Sequence, residues 1–181
     1  MSMIYKFRLG TWDFSWPRQS NVCCLLVCFV ADRLQLGANR LAGQLPGELA
    51  SLQSLSFIDV ARNEFTGPIP FFLFEMPSLE TLDIGSNLFT GSIPSQIDLA
   101  ASLRDFYVTN NLLSGEIPPE MANATTLSIL SLAQNDFTGS IPDFLFQLPL
   151  LGTNVALVLV HTERASTRIA MSRLHVLRTV I

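Results

Sequence analysis

Along the middle of the chain the apolar positions recur in a fixed frame much longer than a helical turn or a strand alternation. Five stretches line up: LQLGANRLAGQLPGEL, IDVARNEFTGPIPFFL, LDIGSNLFTGSIPSQI, FYVTNNLLSGEIPPEM and LSLAQNDFTGSIPDFL. Their asparagines, Asn39, Asn63, Asn87, Asn111 and Asn135, stand 24 residues apart without a slip. Self-similarity at such a period predicts a solenoid, in which each repeat buries its apolar face against its neighbours.

Each column of the frame has a physical job. The pairs Leu34/Leu36, Ile58/Val60, Leu82/Ile84, Phe106/Val108 and Leu130/Leu132 alternate with polar residues, so each predicts a short strand with its apolar side chains inward. A strand that short holds only by pairing with the same strand of the next coil. The chain must then turn, and an inward-facing Asn supplies two donors and an acceptor to the turn's backbone. Four residues after the Asn stand Gly43, Gly67, Gly91, Gly115 and Gly139, which permit angles a Cβ forbids, followed by Leu/Ile-Pro pairs that set the return path. Leu49, Leu73, Ile97, Met121 and Leu145 are placed to fill the convex side of the core, and Phe65, Phe89 and Phe137 to stack inside it. The five asparagines read as structural, not as catalytic or metal-binding groups.

The pattern L-x-x-L-x-L-x-x-N-x-F/L-x-G-x-I-P-x-x-L resembles the plant-type leucine-rich repeat. It is similar to the ectodomains of plant receptor-like kinases and receptor-like proteins, and to polygalacturonase-inhibiting proteins. The resemblance implies an α/β-type repeat solenoid, a short right-handed superhelix of five 24-residue coils. It would have a parallel sheet on the concave side and a mostly irregular or 3-10 convex side.

Composition divides the chain into three parts: an atypical N-terminal segment (1–30), the repeats (31–151), and a degenerate cap with a basic tail (152–181). The 181 residues carry a net charge of −4, from 11 basic and 15 acidic side chains. Both flanks are basic and the repeats are acidic, which argues against general nucleic-acid binding. Val22–Ala31 is an apolar run behind a weakly basic lead. It reads either as the hydrophobic part of a secretory signal or as an irregular cap, the lead holding Trp12, Asp13, Trp16 and Pro17. Family members carry a cap with a Cys pair around a Trp motif. Here Ser15-Trp16-Pro17 and Val22-Cys23 echo it without the first Cys, and Cys23, Cys24 and Cys28 lack the second ligand cluster a zinc site needs. The departures at both ends fit a shortened relative of a longer receptor.

No P-loop, G-x-S-x-G, H-E-x-x-H or kinase signature occurs, so no enzyme, cofactor or metal is expected. Recognition is the better reading, because outward side chains of a concave sheet vary at no cost to the core. The candidate ligand-binding residues on that face are Phe57, Asp59, Asp83, Asp105, Tyr107, Asn110 and Ser131. Aromatics beside polar groups are common contact residues, and the acids suit a basic peptide or protein. The resemblance implies a protein or peptide ligand, a co-receptor kinase as a second partner, and an extracellular or plasma-membrane location in signalling or defence; an N-terminus that is a cap and not a signal would instead keep the chain inside the cell. Two other readings stay open. One is a secreted inhibitor of microbial cell-wall hydrolases. The other is a truncated gene product keeping only the scaffold, in which Phe57, Asp83 and Tyr107 could be changed without phenotype. Asn123-Ala124-Thr125 is an N-glycosylation sequon between the fourth and fifth coils, on the convex side.

Overall fold

A computed structural model of the chain describes residues 32–146 and 148, together with the backbone of Tyr5–Lys6. The readings of Cys23, Cys24 and Cys28, of the apolar run Val22–Ala31 and of the basic tail lie outside the described residues. Strands β1 (Tyr5–Lys6), β2 (Arg33–Gln35), β4 (Phe57–Asp59), β6 (Thr81–Asp83), β8 (Asp105–Tyr107) and β10 (Ile129–Ser131) form one parallel sheet in the order β1-β2-β4-β6-β8-β10. From β2 onward the register advances by 24 residues per strand, with Ile58 opposite Leu82 and Leu82 opposite Phe106. The repeat period of the sequence is thus the strand-to-strand period of the sheet.

A second parallel sheet, which the repeat columns did not signal, flanks the first. Its strands are β3 (Ala42–Gly43), β5 (Glu64–Pro68), β7 (Leu88–Gly91), β9 (Leu112–Gly115) and β11 (Asp136–Phe137), in the order β11-β9-β7-β5-β3. After each of these strands the Pro of the repeat leads into a single 3-10 turn: Gly47–Ser51, Phe71–Glu75, Ser95–Leu99, Pro119–Asn123 and Asp143–Phe146. These turns close the convex side, and Leu49, Leu73, Ile97, Met121 and Leu145 point from them into the core.

The core is one continuous column of side chains, since coil after coil places the same positions inward. Phe65 and Phe89 stack with their rings 6.3 Å apart. The aromatic stack is shorter than the sequence predicts, because Leu113 holds the same buried position in the next coil and Phe137 is only half-buried.

The asparagine ladder does more than cap its own turn. The Asn63 amide donates to Val60 O within its coil at 2.9 Å and to Leu36 O of the preceding coil at 2.9 Å. Its side-chain oxygen accepts from Leu41 N, also in the preceding coil, at 3.0 Å. Asn87, Asn111 and Asn135 repeat this scheme. Asn39 is partly exposed and donates to Leu36 O and Gly37 O. The residue before each Asn takes a left-handed conformation: Ala38, Arg62, Ser86, Asn110 and Gln134 have φ between 54° and 59°. Of these only Asn adopts that conformation readily.

Candidate functional site on the concave sheet

The three-residue strands bury their middle residue and turn both flanking residues to the concave side. Two parallel rows result. One runs Arg33, Phe57, Thr81, Asp105, Ile129, and the other Gln35, Asp59, Asp83, Tyr107, Ser131. Because the strands are in register, Asp59 lies directly beside Asp83 and Asp83 directly beside Tyr107. Adjacent strands lie about 4.8 Å apart, so these side chains form one contiguous patch.

A third row extends the alternation by two residues: Gly37, Ala61, Gly85, Thr109, Ala133. Continuing the period of two past the apolar pair would have found it in the sequence. Its small side chains leave room for the acids. A Cβ on Gly37 would stand 2.7 Å from Asp59 Oδ1, and one on Gly85 would stand 3.2 Å from Asp83 Oδ1 and 3.3 Å from the Thr109 carbonyl oxygen. Each carboxylate is fixed by a backbone donor two residues on, Asp59 by Ala61 N and Asp83 by Gly85 N, both at 3.0 Å.

The electrostatics follow from this crowding. Burial pushes the Asp83 carboxyl above the usual carboxylate range, and the negative charge of Asp59 pushes it further. The Gly85 N–H and the Arg62 guanidinium oppose both. Burial likewise raises the Tyr107 hydroxyl, with Asp105 and Asp83 adding to it, so the phenol stays protonated and can donate. Asp105 accepts from Ser128 Oγ at 3.0 Å.

The other candidates divide. Phe57 is half-buried with the Arg33 guanidinium carbon 3.8 Å from its ring centroid, a cation–π contact that holds the arginine of the neighbouring strand in the same row. Asn110 is exposed and sits in the left-handed turn beyond the sheet, its amide reaching Ser86 Oγ at 3.3 Å. Ser131 is buried and its hydroxyl is engaged with Thr109 Oγ1. The structure therefore gathers Phe57, Asp59, Asp83, Asp105 and Tyr107 into one surface, with Asn110 at its edge and Ser131 beneath it. Among the described residues no group of three or more His, Cys, Asp or Glu is arranged to hold a metal, and no helix is long and apolar enough to cross a membrane.

The family model for the Leucine Rich Repeat matches residues 78–99, 102–124 and 126–148, three successive coils of this scaffold. The chain is a plant-type leucine-rich-repeat protein. Solved structures with the same fold include a chain of the BIR3–SERK2 complex from Arabidopsis thaliana, 39% identical over 63% of this chain and 61% of that one, with a TM-score of 0.59. The ectodomain of the Arabidopsis receptor kinase HAESA, solved with an N-terminally extended IDA peptide hormone, is 37% identical over 69% of this chain and 20% of its own, at 0.64. A plant ice-binding protein is 26% identical over 65% of this chain and 38% of its own, at 0.61. This leucine-rich-repeat chain thus spans less than two thirds of the length of each. No curated protein matches it by sequence.

Proposed function

We propose that this chain is a non-catalytic recognition module, extracellular or membrane-associated, whose concave sheet takes an extended peptide or protein segment carrying a basic side chain. The observation that carries the reading is the in-register row Asp59–Asp83–Tyr107. Two neighbouring acids, one of them held above its usual range by burial and by the other, gain most from a cation placed between them. Phe57 and Tyr107 flank that point and supply flat apolar area. The family resemblance and the peptide-bound HAESA structure support a peptide ligand, and the complex of HAESA with IDA and the co-receptor SERK1 supports a co-receptor kinase as the second partner.

Selection of short displayed peptides on the purified chain tests this. Enrichment of Lys- or Arg-containing peptides, lost in Asp59→Asn and Asp83→Asn, is the expected result. Enrichment indifferent to both substitutions overturns it. Inhibition of a fungal polygalacturonase, lost in the same variants, would assign the face to a hydrolase instead of a peptide.

A second reading attaches to the second sheet. Thr66, Thr90, Ser114 and Thr138 recur once per coil along that side and are all exposed, each set two residues off its neighbour, since Thr66 pairs with Leu88, Thr90 with Leu112 and Ser114 with Asp136. Exposed hydroxyls repeated once per coil suit an ordered water lattice, and the structural likeness to an ice-binding protein supports it. Inhibition of ice recrystallisation that disappears in Thr90→Tyr would favour this reading, and no inhibition would dismiss it.

A further inference from the structure

We infer that Asn123 carries an N-linked glycan whose innermost sugars cover Leu99 on the convex side. Asn123 is the last residue of the 3-10 turn Pro119–Asn123 and is exposed. Its carbonyl oxygen accepts from Thr125 N at 2.8 Å, and the side chains of Asn123 and Thr125 both face solvent around the buried Ala124. The middle residue is not proline, so the tripeptide meets the acceptor rule.

The second observation lies one coil back. Leu99 is the last residue of the turn Ser95–Leu99, holds the same place in its coil as Asn123, and is 53% exposed. The same column carries Ser51 and Glu75 in the two earlier coils, so Leu99 is an apolar residue in an otherwise wet column. A single exposed leucine needs no explanation by itself. Here it stands beside an acceptor whose product is an amphipathic sugar ring attached at the adjacent position. The concave strands lie across the core from these turns, so the glycan leaves Phe57, Asp59, Asp83 and Tyr107 open.

The transfer is a substitution at the anomeric carbon of an oligosaccharide held on a polyprenol diphosphate. The Asn123 amide nitrogen forms the new C–N bond and gives up one proton, and the C–O bond to the diphosphate breaks with its electron pair leaving on the diphosphate oxygen. The donor and its transferase belong to the secretory lumen, so the inference rests on the extracellular reading proposed above.

The test uses the full chain fused to a cleavable secretory signal and translated with microsomes, so that transfer does not depend on the native N-terminus. The processed chain should show an endoglycosidase-sensitive mobility shift of one core glycan, lost in Asn123→Gln and in Thr125→Ala. A processed chain with no shift overturns the site. Removing the glycan should raise hydrophobic-dye binding several-fold in the wild-type chain and leave Leu99→Ser unchanged. An equal rise in both overturns the covering of Leu99. The unfused chain, expressed in plant cells, separates the two readings: a shift supports both, whereas no shift beside a shifted fusion overturns the extracellular reading alone.

Discussion

The side-chain oxygen of Asn87 accepts the backbone N–H of Phe65 at 3.0 Å, so the asparagine of one coil closes the turn of the coil before it. Its amide reaches the carbonyls of Val60, Ile84 and Gly85. Asn87→Ala strands a buried donor and leaves these acceptors short of one, and should lower stability by about 3 kcal/mol or more. Asn39 is partly exposed and, among the described residues, reaches two local carbonyls. Asn39→Ala should cost roughly 1 kcal/mol. Urea midpoints of the two variants measure the difference, and equal losses would contradict the ladder.

Phe89 is fully buried against Phe65, and Leu113 fills the same column in the next coil. Phe89→Ala should cost about 3–5 kcal/mol through the cavity it leaves. Phe89→Leu copies what the neighbouring coil already tolerates and should cost about half that or less. Thermal unfolding monitored by circular dichroism ranks the two.

Asp83 gives stability a pH dependence of definite sign. Its folded-state carboxyl titrates above the usual range because of burial and Asp59. The folded state therefore binds more protons than the unfolded state between those two values, and stability falls as pH rises through that window. Asp83→Asn keeps an oxygen for the Gly85 N–H and removes the charge. It should stabilise the fold at neutral pH by the few tenths of a kcal/mol typical of a solvent-screened cross-strand pair, read as a small rise in melting temperature. Below the usual carboxylate range the gain should vanish. A gain that persists there would show that charge is not the cause.

The glycines beside the two acids should respond differently to alanine. At Gly37 the new methyl meets only the tip of the Asp59 side chain, which can swing away. Gly37→Ala should leave the melting temperature nearly unchanged while weakening capture of basic peptides. At Gly85 the methyl also meets the Thr109 backbone oxygen at 3.3 Å, so Gly85→Ala should destabilise the sheet itself. Thermal scans and peptide capture on both variants separate the two effects.

The left-handed positions are open to improvement. Arg62 has φ 57° and Gln134 has φ 54°, and neither side chain favours that conformation. Glycine at either should relieve strain of about 1 kcal/mol, offset in part by unfolded-chain entropy. Asn110→Gly should change little, since Asn already tolerates the turn. Urea unfolding of the three variants checks the order.

Much of this was legible in the sequence, because a 24-residue period turns local chemistry into tertiary contacts. The inward pairs, the ladder asparagines and the Gly-x-Ile-Pro return path each recur often enough to declare their role. The second sheet was not legible: its strands run over Gly67 and Pro68, which as single residues read as turn signals. Nor were the left-handed residues, since Ala38, Arg62 and Ser86 do not favour that backbone by themselves and their N–H groups are bonded to Ala61, Gly85 and Thr109 of the following coil. Alternation along the strands was enough to put Phe57, Asp59, Asp83, Asp105 and Tyr107 at outward-flanking positions of the sheet. It could not show that Ser131 is covered, because burial at that point depends on packing around the strand.

The direction of the ladder bonds sets an order in time. Asn63 seals the turn that begins at Leu36, Asn87 the turn that begins at Val60, and Asn111 the turn that begins at Ile84. On the ribosome, a newly emerged coil therefore stays unlatched until its successor has been synthesised. Growth of the native structure trails synthesis by one repeat, and the most recent coil is always the one exposed to chaperones and proteases.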